Sequence, residues 1–99
     1  MDRIKDPKLM EIYRNKRCMV CGSNNGVSGH HLKSRGSWGP DVPENLIPLC
    51  FNHHVEVHKI GLLSFSSRYF VVENFLTLNR WTLCPIRGKW TNSTLGEID

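Results

Sequence analysis

Cys18-Met19-Val20-Cys21, Gly29-His30-His31-Leu32 and Cys50-Phe51-Asn52-His53-His54-Val55-Glu56-Val57-His58 hold the residues that decide how this chain folds. The outer two runs pair metal-binding side chains at short spacing, and the middle one sets two imidazoles side by side. Together they supply nitrogen and sulfur ligands for two metal ions. Zinc favours four tetrahedral Cys or His ligands, and two short paired steps let two tight turns present them against little loop entropy. Gly22 follows the first pair, where a positive φ closes such a knuckle. Cys18, Cys21, Cys50 and His53 are therefore assigned to a structural zinc. Cys84 competes with His53 for the fourth place, but it stands far along the chain beside Pro85 with no ligand near it.

The second ion depends on a helix predicted over residues 51–60. His54 and His58 then share one face, about 6 Å apart along the axis. His53, turned by about 100° from His54, is sent toward the knuckle, and Glu56, turned by about 200°, faces away from both. One short helix could serve two metals, although the same spacing also describes two solvated surface histidines. In an extended segment around residues 27–33, His30 and His31 point to opposite faces, which predicts that they do different work.

Taken in order, Gly29-His30-His31-Leu32, then Asp41-Val42-Pro43-Glu44-Asn45-Leu46-Ile47-Pro48-Leu49-Cys50, then His53-His54-Val55-Glu56-Val57-His58 resemble the H-N-H endonucleases, including their zinc-knuckle phage and bacterial members. The likeness runs from Cys18 to His58, and its three letters fall on His31, Asn45 and His54 or His58. It implies an α+β fold, a small ββα-metal (His-Me finger) core with a structural zinc knuckle and flanking helices. It implies a metal-dependent DNA endonuclease that nicks one strand per active site. His30 resembles the family's metal ligand and His31 its general base. Asn45 resembles the central asparagine that braces the loop and helps orient the base. His54 and His58 resemble the helix positions that complete the catalytic metal site. The family more often carries Cys at the position of His53, and many Mg²⁺-using relatives carry Asp at that of His30.

The chemistry fits these residue types. Phosphodiester hydrolysis needs an activated water on one side of phosphorus, and an imidazole with an ordinary pKa near 6.5 accepts protons at neutral pH. It also needs charge stabilisation on the other side, which a divalent ion supplies. Imidazoles suit Mn²⁺, Ni²⁺ or Zn²⁺ at least as well as Mg²⁺, which prefers oxygen. Lys33 and Arg35 follow the histidine pair and are candidates for phosphate contacts or for plain solvated charge. Asn45 has a bland reading beside the family one, since asparagine before a buried strand often closes an Asx turn.

Thirteen Lys and Arg against nine Asp and Glu give a net charge of +4 and a pI near 9.1, which suits a polyanionic partner such as DNA. No apolar run long enough to span a membrane and no signal peptide is read, and zinc-style thiols suit a reducing compartment. The expectation is a cytoplasmic protein of a bacterial or phage-infected cell, monomer or homodimer. The rival from another class is a non-catalytic zinc module that binds nucleic acid or protein.

Ninety-nine residues predict a single domain, 1–99, with the motif core at about 18–60 and a helical, basic extension at about 61–99. An N-terminal helix is predicted with Asp6 as cap, Pro7 in its first turn, and Leu9, Ile12 and Tyr13 on one side. Residues 26–33 and 45–49 read as extended. Ser64 or Ser66 is predicted to cap a helix reaching Leu78, with Phe65, Tyr69, Val72, Phe75 and Leu76 inward. The tail with Trp81, Arg87, Gly88, Lys89 and Trp90 reads equally as a hairpin on the core or a basic DNA-contacting arm, and residues 94–99 as frayed.

Overall fold

Asp6 starts the first helix by accepting the Leu9 amide at 3.0 Å, and Pro7 occupies a first-turn position that needs no amide hydrogen. In the computed structural model, which describes residues 3–98, this helix α1 spans Pro7–Arg14. Its inward residues are Met10 and Tyr13, whereas Ile12, expected among them, is 54 % exposed. Met10, Tyr13 and Leu46 form a small apolar cluster that fixes α1 on one face of the central hairpin.

That hairpin pairs β1 (Ser28–His31) with β2 (Leu46–Leu49) antiparallel, setting His30 opposite Ile47 and His31 opposite Leu46. Strand alternation divides the two faces. On one face a Cβ at Gly29 would come within 3.3 Å of Met10 and 3.4 Å of Tyr13, so glycine lets α1 lie close. On the other face Ser28 meets helix α2, which runs from Phe51 to Arg68. Gly61, at φ +84° and ψ +160°, interrupts that helix, so the stretch carrying the histidines ends near the predicted boundary at 60.

The distal half differs from expectation. Ser66 lies inside the second part of α2 and its hydroxyl bonds back to the Leu63 carbonyl, so it caps nothing. The chain breaks instead at extended Tyr69, whose hydroxyl donates to Glu56 while its ring packs edge-on against His53 and Phe65. A separate helix α3 then runs Phe70–Leu78. Phe65, Val72 and Leu76 are fully buried, with Tyr69 and Phe75 packed against them, as the apolar pattern predicts.

The tail is a three-stranded meander of β3 (Trp81–Cys84), β4 (Lys89–Asn92) and β5 (Gly96–Glu97). The hairpin reading holds. Trp81 and Trp90 are buried, while Arg87 and Lys89 pair with Glu97 at 2.7 and 3.5 Å. The frayed end expected over 94–99 is ordered through Ile98, which is buried and whose amide donates to the Trp90 carbonyl; Asp99 lies outside the described residues. No helix among the described residues is long and apolar enough to cross a membrane. The architecture is α+β, with a ββα unit of β1, β2 and the first part of α2 at its centre.

Candidate metal centres and nucleic-acid site

Two ligand clusters flank the start of α2. In each, ligand atoms from every member lie within 4.8 Å of one another.

The first joins Cys18, Cys21, Cys50 and His53. Gly22, at φ +75°, turns the chain after the first pair, and the Cys18 amide closes the knuckle on the Ser23 carbonyl at 2.8 Å. The Met19 amide donates to Pro48, which fastens the knuckle to β2. Cys21 Sγ and Cys50 Sγ are 3.8 Å apart, and His53 Nδ1 lies 3.2 Å from Cys50 Sγ and 3.7 Å from Cys18 Sγ. A tetrahedron with Zn–S bonds of about 2.3 Å has edges of about 3.8 Å, so these free thiols and this imidazole fit zinc. Burial pushes the Cys18 thiol upward, but amide hydrogens of Cys50, Cys21 and Val20 outweigh it and favour the thiolate. Cys84 stands outside this cluster, in β3.

The second joins His30 of β1 with His54 and His58 of α2. Their ring centroids form a nearly equilateral triangle with sides of 5.0, 5.1 and 5.0 Å. Ser28 Oγ lies 3.0 Å from His54 Nδ1, leaving Nε2 of that ring for another partner. Burial, then the neighbouring His54, His58 and His31, pushes the His30 pKa down to about 3, and burial with His58 and His31 lowers that of His54. Both rings stay neutral at physiological pH, the state in which imidazole ligates metal. A cleft of about 370 Å³ opens over this triangle, lined also by His31, Arg14 and Arg35.

His31 faces away from the triangle, as alternation predicts. Its Nε2 lies 2.7 Å from Asp41 Oδ1, with both side chains nearly closed to solvent. Asp41 also accepts from the Arg3 guanidinium and, at 2.9 Å, from the Asp6 amide. Burial raises its pKa, but the hydrogen bonds from His31, Asp6 and Arg3 prevail and hold the carboxyl below the usual carboxylate range. In the tautomer whose Nε2–H donates to this carboxylate, Nδ1 is left as the basic nitrogen.

Asp41 carries a pH consequence. Its folded pKa lies below the ordinary 3.8, so the unfolded chain binds the proton first and the stabilisation is complete above about pH 4. It is lost as pH falls further. Asp41→Asn should lower stability at neutral pH by about 1.5–3 kcal/mol, the scale for hydrogen bonds to a charged group. In paired thermal melts this gap should narrow as pH drops below 4; a gap that widens would reverse the assignment.

Asn45 is fully buried between β1 and β2. Its side chain accepts the Lys33 amide at 2.8 Å and donates to the Lys33 and Pro40 carbonyls at 3.0 and 3.1 Å. It thus clamps both ends of the intervening loop instead of closing an Asx turn, and none of these partners is His31. Lys33 donates its ammonium to the Leu95 carbonyl at 3.0 Å, which ties this candidate phosphate contact to the meander. Arg35 lines the cleft. The sequence motifs alone give no role to Asp41, Ser28 or Arg14. Asp41 is visible four residues before Asn45, but its partner emerges only when the loop closes.

Residues 18–59 match the family model described as HNH endonuclease. No curated protein and no solved structure gave a significant match to the chain.

Proposed function

We propose, for a chain whose residues 18–59 carry an HNH endonuclease domain, a metal-dependent DNA endonuclease that cuts one strand per active site. The observation that carries this reading is the pairing of an Asp41-held His31 with an adjacent three-histidine triangle in one cleft. A zinc module that only binds needs the Cys18, Cys21, Cys50 and His53 set and has no use for the second cluster.

In this reading His31 Nδ1 accepts a proton from the attacking water while Nε2–H donates to Asp41, whose charge steadies the imidazolium that forms. His30, His54 and His58 would hold the catalytic divalent ion, Mg²⁺, Mn²⁺, Ni²⁺ or Zn²⁺, which when bound supplies charge stabilisation at the phosphoryl and leaving oxygens. Ser28 orients His54. Asn45 acts as a positioning residue, holding the loop that delivers Asp41. Arg35 and Arg14, which both line the cleft, offer planar donors to phosphate oxygens. The structural zinc would sit between Cys18, Cys21, Cys50 and His53.

We take residues 1–99 as one domain because Trp90 and Ile98 of the extension share an apolar cluster with Cys18 and Val27 of the motif. We place the chain in the cytoplasm of a bacterial or phage-infected cell, a reducing compartment that suits zinc-style thiols. One base per site means that a monomer cuts one strand per encounter, and double-strand cleavage needs a dimer or two visits. Supercoiled plasmid incubated with each divalent ion tests the function. Nicked circles should appear before linear DNA; binding without cleavage in every ion would favour the zinc-module alternative.

His30→Ala should weaken ion occupancy, so that excess Mn²⁺ or Ni²⁺ restores part of the activity by mass action. His30→Asp should shift preference toward Mg²⁺, since a carboxylate is the harder ligand. Rates against ion concentration check both, and an unchanged metal preference in His30→Asp would remove His30 from the ligand set.

A further inference from the structure

Trp38 is 64 % exposed, whereas the other tryptophans, Trp81 and Trp90, are 3 % and 7 % exposed. It sits between β1 and β2 at φ +67° and ψ +23°, left-handed backbone that a residue with a Cβ rarely adopts. The loop that holds it there is closely tied. The Ser37 and Gly39 amides both donate to the Ser34 carbonyl, at 3.0 and 2.8 Å, and the Trp38 amide donates to Arg35 at 3.0 Å. A Cβ at Gly39 would fall 1.7 Å from the Lys33 carbonyl oxygen, and Asn45 clamps Lys33 and Pro40 at the loop ends. The indole is held outward on a fixed support.

Its surroundings are cationic. Trp38 shares a surface recess of about 360 Å³ with Arg3, Lys5, Arg35 and Gly36. Arg3 is engaged by Asp41 and the Gly39 carbonyl. The side chains of Lys5 and Arg35 make no hydrogen bond or ion pair among the described residues. Arg35 also lines the histidine cleft, so the recess and the cleft are neighbours across this residue.

We propose that this recess is a nucleotide subsite in which Trp38 stacks on one unpaired base of the nucleic-acid strand, beside the phosphate held at the histidine cleft. The inference rests on the nuclease reading above and names the part of the substrate met outside the cleft. Arg35 lies between the two positions and can contact the linking phosphate, and Lys5 can take the next one. An acidic peptide would use the two cations but leave the indole face without a planar partner, whereas every base has a π-face. A base inside a regular duplex is covered on both sides, so the subsite selects strands with a bulged or displaced base.

Labelled duplexes with and without a one-nucleotide bulge, titrated with the zinc-bound full chain in the absence of added catalytic ion, test this by fluorescence anisotropy. The bulged duplex should bind more tightly. Trp38→Ala should weaken that binding by about 5- to 150-fold, the range for losing one base–aromatic stack, and Trp38→Phe should retain most of it. Fully paired DNA should respond little. If Trp38→Ala binds bulged DNA as the unaltered chain does, the subsite is wrong, and intact plasmid cleavage would leave the nuclease reading standing. If Trp38-dependent binding is found but no ion supports cleavage, the subsite stands and the nuclease reading falls.

Discussion

Replacing His31 with alanine should lower the rate of phosphodiester cleavage by about two to four orders of magnitude, the scale for losing a general base, while ion binding stays nearly unchanged. The separation of these effects follows from strand geometry. His30 and His31 are neighbours in β1, yet His30 meets His54 and His58 whereas His31 meets Asp41. Removing the His31 ring takes no side from the histidine triangle. Asp41→Asn should also slow cleavage, because an amide cannot hold the same tautomer or steady the imidazolium as a carboxylate does. Single-turnover rates together with equilibrium ion binding separate base from ligand.

Loss of the knuckle should have the largest effect on stability. Cys18 and Cys50 are both buried and belong to the main apolar cluster, so the candidate zinc ligands are part of the core that joins the first pair to the start of α2. Structural zinc contributes about 10–16 kcal/mol in small zinc-finger peptides, comparable with or larger than the whole stability of an ordinary domain. Cys18→Ala or Cys50→Ala should therefore lose one bound zinc and the cooperative melt. His53→Cys should keep both, since thiolate serves the same position. Metal content measured beside calorimetry decides the matter; a zinc-free chain that melts cooperatively after chelation would remove the knuckle from the account.

The pairs Cys18 with Cys21, Cys50 with His53 and His54 with His58 were legible because local spacing nearly determines them, whereas His30 entered the second set through the family resemblance. Two residues between Cys18 and Cys21, or between Cys50 and His53, make one turn, and His54 and His58 share a helix face whatever lies around them. The assignment of His30 and His31 to opposite faces needed only the strand period. Asp41 was not legible in the same way. Its contact with His31 depends on an Asn45 clamp, on glycine at position 39 and on Arg3 reaching back from the N-terminal segment.

The distal half departs from its local pattern where tertiary contacts override local preference. Tyr69 satisfies a helical apolar pattern, but its hydroxyl reaches Glu56 and its ring packs on His53, so the helix breaks there and α3 starts anew. Ile98 stands alone between Glu97 and Asp99 and gives no periodic signal. Its burial comes from the meander that folds it beside Trp90, as the shared backbone hydrogen bond records.

Plasmid cleavage rates measured against Mn²⁺ concentration for the unaltered chain, His31→Ala and His30→Ala test the central claim most directly. The account predicts ion-dependent nicking by the unaltered chain, a low rate in His31→Ala that no Mn²⁺ concentration restores, and partial recovery of His30→Ala as Mn²⁺ rises. Recovery of His31→Ala with a flat response in His30→Ala would show the two roles reversed, and no cleavage by the unaltered chain in any divalent ion would contradict the account outright.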